Sequence, residues 1–185
     1  MFRLSRFLVR ARACAFGIAL LTSPVRGVRA QSNWSRYTAG TIAAIMQQHD
    51  SIIRADHIEK HPSLVVSGDD FPTLATVIYR GDSRPLDSKR LVILRQWSLA
   101  FLRDTSMMQD FHREYLFQEG KRLLWLPVQD TVASYFAREL HVGQPVSLYV
   151  IWAGAYYEGE DITWTFLVNE FKAGPMRTEN SSGPA

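Results

Sequence analysis

The chain has 185 residues, with 21 basic and 18 acidic side chains, five histidines and one cysteine. That length suits one modest domain with its own hydrophobic core, and a lone cysteine excludes an intrachain disulfide framework or a paired-cysteine site. Charge is spread unevenly. The first 30 residues hold six arginines and no acid, so the remainder carries 15 basic groups (21 less six) against 18 acidic ones, net −3. A body of that sign lacks the basic footprint that nucleic-acid binding requires.

The start of the chain reads as a targeting segment. Arg3, Arg6, Arg10 and Arg12 precede the apolar stretch CAFGIALLTSPV at 14–25, and Val28-Arg29-Ala30 follows. This is the pattern of a secretory signal peptide cleaved near Ala30, and the apolar run is too short to span a bilayer. The expected localisation is therefore secreted or periplasmic. Mitochondrial import is the alternative, because an arginine-rich, acid-free start serves that route too. Cys14 precedes the apolar stretch, which does not suit a lipoprotein cysteine, and cleavage at Ala30 leaves no thiol. Residues 31–37 are expected to form a flexible lead-in, 38–172 a single α+β domain, and 173–185 a disordered tail poor in core-forming residues.

Thr38 or Thr41 is placed to cap a helix running to about Ile58, in which Ile42, Ile45, Met46, His49 and Ile53 recur at helical spacing. Pro62 ends it. His57 and His61 are four apart, a spacing that sets two imidazoles on one metal, but Ile58 stands where a zincin motif needs Glu. The plainer reading is a pair of polar helix-end histidines.

Residues 73–80, TLATVIYR, alternate as a strand, and Gly81-Asp82-Ser83 is expected to break it. Asp87 or Ser88 then caps a segment where Leu91, Leu94, Trp97 and Phe101 fall at helical spacing. Val92, Ile93, Leu99 and Leu102 widen its apolar face almost all round. The spacing predicts a well-buried helix over 89–103, with a strand over KRLVILRQW as the competing assignment. Residues 104–113 read as a polar linker.

The block from Glu114 to Glu170 is the organising region. Residues 114–118 and 122–126 flank Gly120 as a short hairpin. Asp130 is placed to cap a helix carrying Val132, Phe136 and Leu140 on one side. Val146, Leu148, Val150 and Trp152 alternate, as do Ile162, Trp164, Phe166 and Val168, which predicts two longer strands. Gly154 and Gly159 make the stretch between them read as a long loop. The order strand, strand, helix, strand, strand, with one strand upstream, leads to the expectation of a small five-stranded OB-like antiparallel barrel with a helix between strands three and four, plus N-terminal helices.

Chemistry is harder to read. The chain holds no Walker sequence, dinucleotide fingerprint, G-x-S-x-G elbow or CxxC pair, and no cofactor is expected. His112 and Glu114 are two apart and could share a strand face, and Glu170 ends the last strand, so these three are the candidates for carboxylate or histidine catalysis. Tyr156 and Tyr157, in the expected loop, are candidate contact residues for a partner or ligand, with Gln129, Asn169 and Glu170 as polar lining. The function expected is an exported, non-enzymatic binding or assembly module of the cell envelope, its partner an envelope protein, a peptide or a glycan. A small secreted hydrolase and an oligonucleotide-binding barrel are the alternatives.

Overall fold

The computed structural model describes residues 34–55, 63–68 and 71–174. The predicted targeting segment, His57, His61 and nearly all of the predicted tail lie outside the described residues.

A 3-10 turn at Trp34–Arg36 leads into β1 (Thr38–Gly40). Helix α1 (Ile42–Ala55) follows, and Thr41 Oγ1 accepts the Ala44 N–H at 3.1 Å. Then come β2 (Ser63–Val66), β3 (Thr73–Pro85) and α2 (Ser88–Phe101). The hairpin β4 (Arg113–Glu119) and β5 (Arg122–Val128) precedes two helical turns, α3 (Asp130–Ala133) and α4 (Phe136–Glu139). The long pair β6 (Pro145–Glu158) and β7 (Asp161–Ala173) completes the domain.

The OB-like five-stranded antiparallel barrel is corrected by the sheet itself. It has seven strands in the order β1-β3-β4-β5-β7-β6-β2, and it is mixed: β1 runs parallel to β3, and β5 parallel to β7. β3 pairs with both β4 and β6, so the sheet curls over its core. β5 and β7, however, share only the register pair Val128–Val168, and the sheet is not a closed barrel. Sequence pattern misses β1 and β2 because strands of three and four residues are too short to display alternation.

Two irregularities decide where side chains point. The register slips between Trp152 and Gly154, where Gly154 has φ 150° and an added Cβ would lie 2.2 Å from the Val65 carbonyl oxygen. Gly154 thus bulges within β6 instead of ending it, and the β2 backbone packs directly on it. The expected long loop is accordingly replaced by strand, with Glu158 paired to Asp161 across a two-residue turn at Gly159. Likewise Gly81 (φ 86°) kinks β3 rather than breaking it, and the strand continues to Pro85.

Apolar side chains segregate into two clusters. Inside the curl, Ile42, Val77, Phe117, Phe136, Leu148, Phe166 and Val168 are all buried. On the outer face of the sheet, Ile93, Leu94 and Trp97 of α2 pack on Ile151, Ala153 and Leu167. Both faces of β6 are therefore covered, which is why its burial is nearly continuous. Residues 88–101 are helical, with the Asp87 carboxylate accepting the Lys89 and Arg90 N–H groups at 2.9 and 3.4 Å. Only one side of the helix is buried, contrary to the expectation of all-round burial: Leu91, Val92 and Leu99 face outward.

Candidate ligand-binding cleft

A cleft of about 610 Å³ opens on the outer face of the sheet, beside the C-terminal half of α2. Trp97 and Phe101 come from α2, Ile151 from β6, Asn169 from β7, and Arg36 and Tyr37 from the segment leading into β1. The volume is in the range of small-molecule sites, and the mixture of rings with few polar groups is typical of them.

Local irregularity places the polar group. Tyr149 pairs with Glu170 and Val150 with Val168, so Asn169 is an extra residue on β7. A bulge of this kind re-aims side chains. Asn169 and Glu170 consequently both leave the inner core, and Asn169 Nδ2 donates to the Tyr37 hydroxyl at 3.1 Å. The Tyr37 ring meets Tyr149 edge to face, with centroids 5.2 Å apart, and the Arg36 guanidinium lies 5.8 Å from the Tyr37 centroid. Trp97 and Phe101, which also line the cleft, meet with centroids 5.8 Å apart and their planes tilted at 46°. The cleft thus offers flat rings, an amide, a phenol and a cation, the groups that orient a polar ligand against an apolar floor.

Glu170 does not point into this chemistry as a free carboxylate, because its Oε1 accepts the Phe171 N–H at 3.1 Å. Glu114 is fully buried beneath α2, between Arg84 on the neighbouring strand and Arg90 of α2; the Arg90–Glu114 contact is 3.0 Å. Arg84 also lies over Trp125, 4.2 Å from its centroid. Burial holds the Arg90 guanidinium below its ordinary pKa, against the opposing pull of Glu114. His112 is exposed and turned elsewhere: its Nδ1 is 2.5 Å from Asp130 Oδ2. The three candidate catalytic residues therefore do not converge. Asp130 spends its carboxylate on His112, and Gln129 takes the N-cap position of α3 without a side-chain capping bond.

The two tyrosines expected on a surface loop sit in β6. The slip at Gly154 reverses strand parity, so Tyr157 turns into the inner core and is buried. Tyr156 packs half-buried against the α2 cluster, with Lys89 Nζ 5.6 Å from its ring. Lys89 in turn pairs with Glu158 at 3.0 Å, and that hydrogen bond raises its pKa. Of the expected lining residues, Asn169 belongs to the cleft. Arg36, Tyr37, Trp97 and Phe101 are missed by sequence reasoning. Their only signal is that Trp97 and Phe101 lie four apart on one helix, which also describes ordinary core residues.

Among the described residues, no group of three or more histidine, cysteine, aspartate or glutamate side chains is arranged to hold a metal ion, and no helix is long and apolar enough to cross a membrane. No family model, curated protein or solved structure matches the chain.

Proposed function

We propose that this chain is a non-enzymatic binding module whose ligand occupies the cleft between α2, β7 and the segment before β1. The observation that carries the reading is the Asn169–Tyr37 hydrogen bond in a cleft that the Trp97–Phe101 ring pair also lines. Ring faces supply sequence-tolerant stacking, and the amide–phenol pair supplies direction, which together suit a glycan or a short peptide. The positions of Glu114, under two arginines, and of His112, on Asp130, favour this reading over hydrolysis. Export of the module rests on the sequence pattern of residues 1–30 alone.

Tryptophan fluorescence titrations with chito-oligosaccharides and with short acidic peptides test the proposal. Saturable binding that weakens about tenfold in Asn169→Ala and in Phe101→Ala, with folding intact, is the expected result. Unchanged binding in both variants would remove the cleft from the reading. Turnover of either probe that disappears in Glu170→Gln would replace the module with a hydrolase.

A further inference from the structure

The segment that supplies Arg36 and Tyr37 to the cleft is held to the domain more lightly than the elements that follow it. Of residues 35–40, Tyr37 is half-buried and the other five are exposed, whereas Ile42, at the start of α1, is fully buried. β1 lies at the end of the strand order and pairs with β3 over three residues. The Thr38 N–H donates to the Pro72 carbonyl oxygen at 3.0 Å. A segment that buries so little apolar surface belongs to the low end of a protein's local stabilities, where opening does not require the rest to unfold.

Tyr37 fastens this segment to the sheet. Its ring packs against the apolar cluster beneath α2 and meets Tyr149 edge to face, with centroids 5.2 Å apart. Its hydroxyl accepts from Asn169 Nδ2 at 3.1 Å. Tyr149 and Asn169 belong to the long pair β6 and β7, and Tyr149 reaches the cleft through Tyr37. An edge-to-face ring pair and a neutral hydrogen bond each change an opening equilibrium by about two- to tenfold.

We infer that residues 35–40 form a strap that docks and releases as a unit, with Tyr37 as its clasp on Tyr149 and Asn169, and that the cleft is complete in the docked state. Release withdraws Arg36 and Tyr37 from the lining, while α2, β6 and β7 keep Trp97, Phe101, Ile151 and Asn169 in place. A ligand that touches both parts favours docking, and its apparent affinity scales with the fraction of chains in which the strap is docked. This coupling rests on the cleft being the binding site; the docking equilibrium does not.

Amide hydrogen exchange of the full chain, corrected for intrinsic rates, tests both parts. By strand alternation Thr38 and Gly40 turn their N–H groups toward β3, and Ala75 and Val77 turn theirs toward β6. In the unliganded protein the first two should exchange at least about tenfold faster than the second two. Asn169→Ala and Tyr149→Ala should each speed Thr38 and Gly40 by a further factor of about two to ten, with Ala75 and Val77 unchanged. Equal protection of β1 and β3 in the parent overturns the strap, because the segment then opens only with the whole sheet. Indifference of Thr38 and Gly40 to Asn169→Ala overturns the clasp, and this variant decides if Tyr149→Ala speeds all four amides. Saturating chito-oligosaccharide should slow Thr38 and Gly40, and Tyr149→Ala should weaken its binding. Binding that leaves those two amides unchanged overturns the coupling. Absence of binding, with the expected exchange pattern, removes the ligand reading of the cleft and its coupling and leaves the strap.

Discussion

The carboxylate of Glu119 closes the N-terminus of α1, with Oε1 accepting the N–H of Ile42 at 2.9 Å and Oε2 that of Ala43 at 2.8 Å. The two partners are 77 and 76 positions away in sequence. A helix leaves its first N–H groups without internal partners, and a negative charge there also meets the favourable end of the helix dipole. The tip of the β4–β5 hairpin thereby anchors α1 over the curled sheet. Glu119→Ala should cost about 1–2 kcal/mol, as loss of a helix cap does. Denaturant unfolding measures the cost, and faster amide exchange confined to Ile42–Ala44 would identify its source. Unchanged exchange at those amides would mean that Thr41 alone caps the helix.

The buried Glu114 couples β4 to α2. Glu114→Gln leaves Arg90 buried beside a neutral partner and should destabilise by about 3–5 kcal/mol. Arg84→Ala should cost less, about 1 kcal/mol, because that guanidinium is half exposed and screened. A combined Glu114→Leu and Arg90→Met variant should recover most of the loss, since no buried charge is then left alone. Thermal melts of the three variants give the ranking. A Glu114→Gln protein as stable as the parent would show that the pair contributes nothing net.

Gly154 is held at a φ that L residues rarely adopt, under the backbone of β2. Gly154→Ala should destabilise by about 1–3 kcal/mol from backbone strain, with steric displacement of β2 in addition. The expected signature is rapid exchange at the β2 amides while β6 and β7 remain protected. Equal protection of β2 in the variant would show that the bulge relaxes without releasing it.

Burial raises the Tyr79 pKa above its ordinary value of 10.0, with smaller contributions from Tyr115 and Asp82. The folded state therefore disfavours the phenolate relative to the unfolded chain. Stability from this group is present in full below pH 10.0 and is lost as pH rises through the higher folded-state value. Tyr79→Phe retains the ring contacts with Phe117 and Phe136, at 5.7 and 5.5 Å, and should flatten the alkaline decline. Unfolding free energies of both proteins across the alkaline range provide the comparison.

Much of the secondary structure was legible because it repeats. Period two at 73–80, 146–153 and 162–169 reflects strands with one side against the inner core. Gly120 and Asp87 carry local geometry that needs no distant partner: a positive φ in the hairpin turn and a side-chain cap at α2. Trp152 packs in the core because large alternating apolar residues have nowhere else to go.

Tertiary structure decided the rest, because those outcomes depend on residues far apart in sequence. β1 and β2 are strands only through pairing with β3 and β6. A single slip at Gly154 sends Tyr157 inward and Tyr156 outward, and the slip at Asn169 turns that side chain to Tyr37, 132 positions away. Parity in a strand is local, but a bulge resets it where a neighbouring backbone presses close, and no periodicity in the sequence records that approach. The choices of Asp130 by His112 and of Arg90 by Glu114 arise in the same way. Composition specifies which groups are available to pair, and only the folded sheet brings each within reach of its partner.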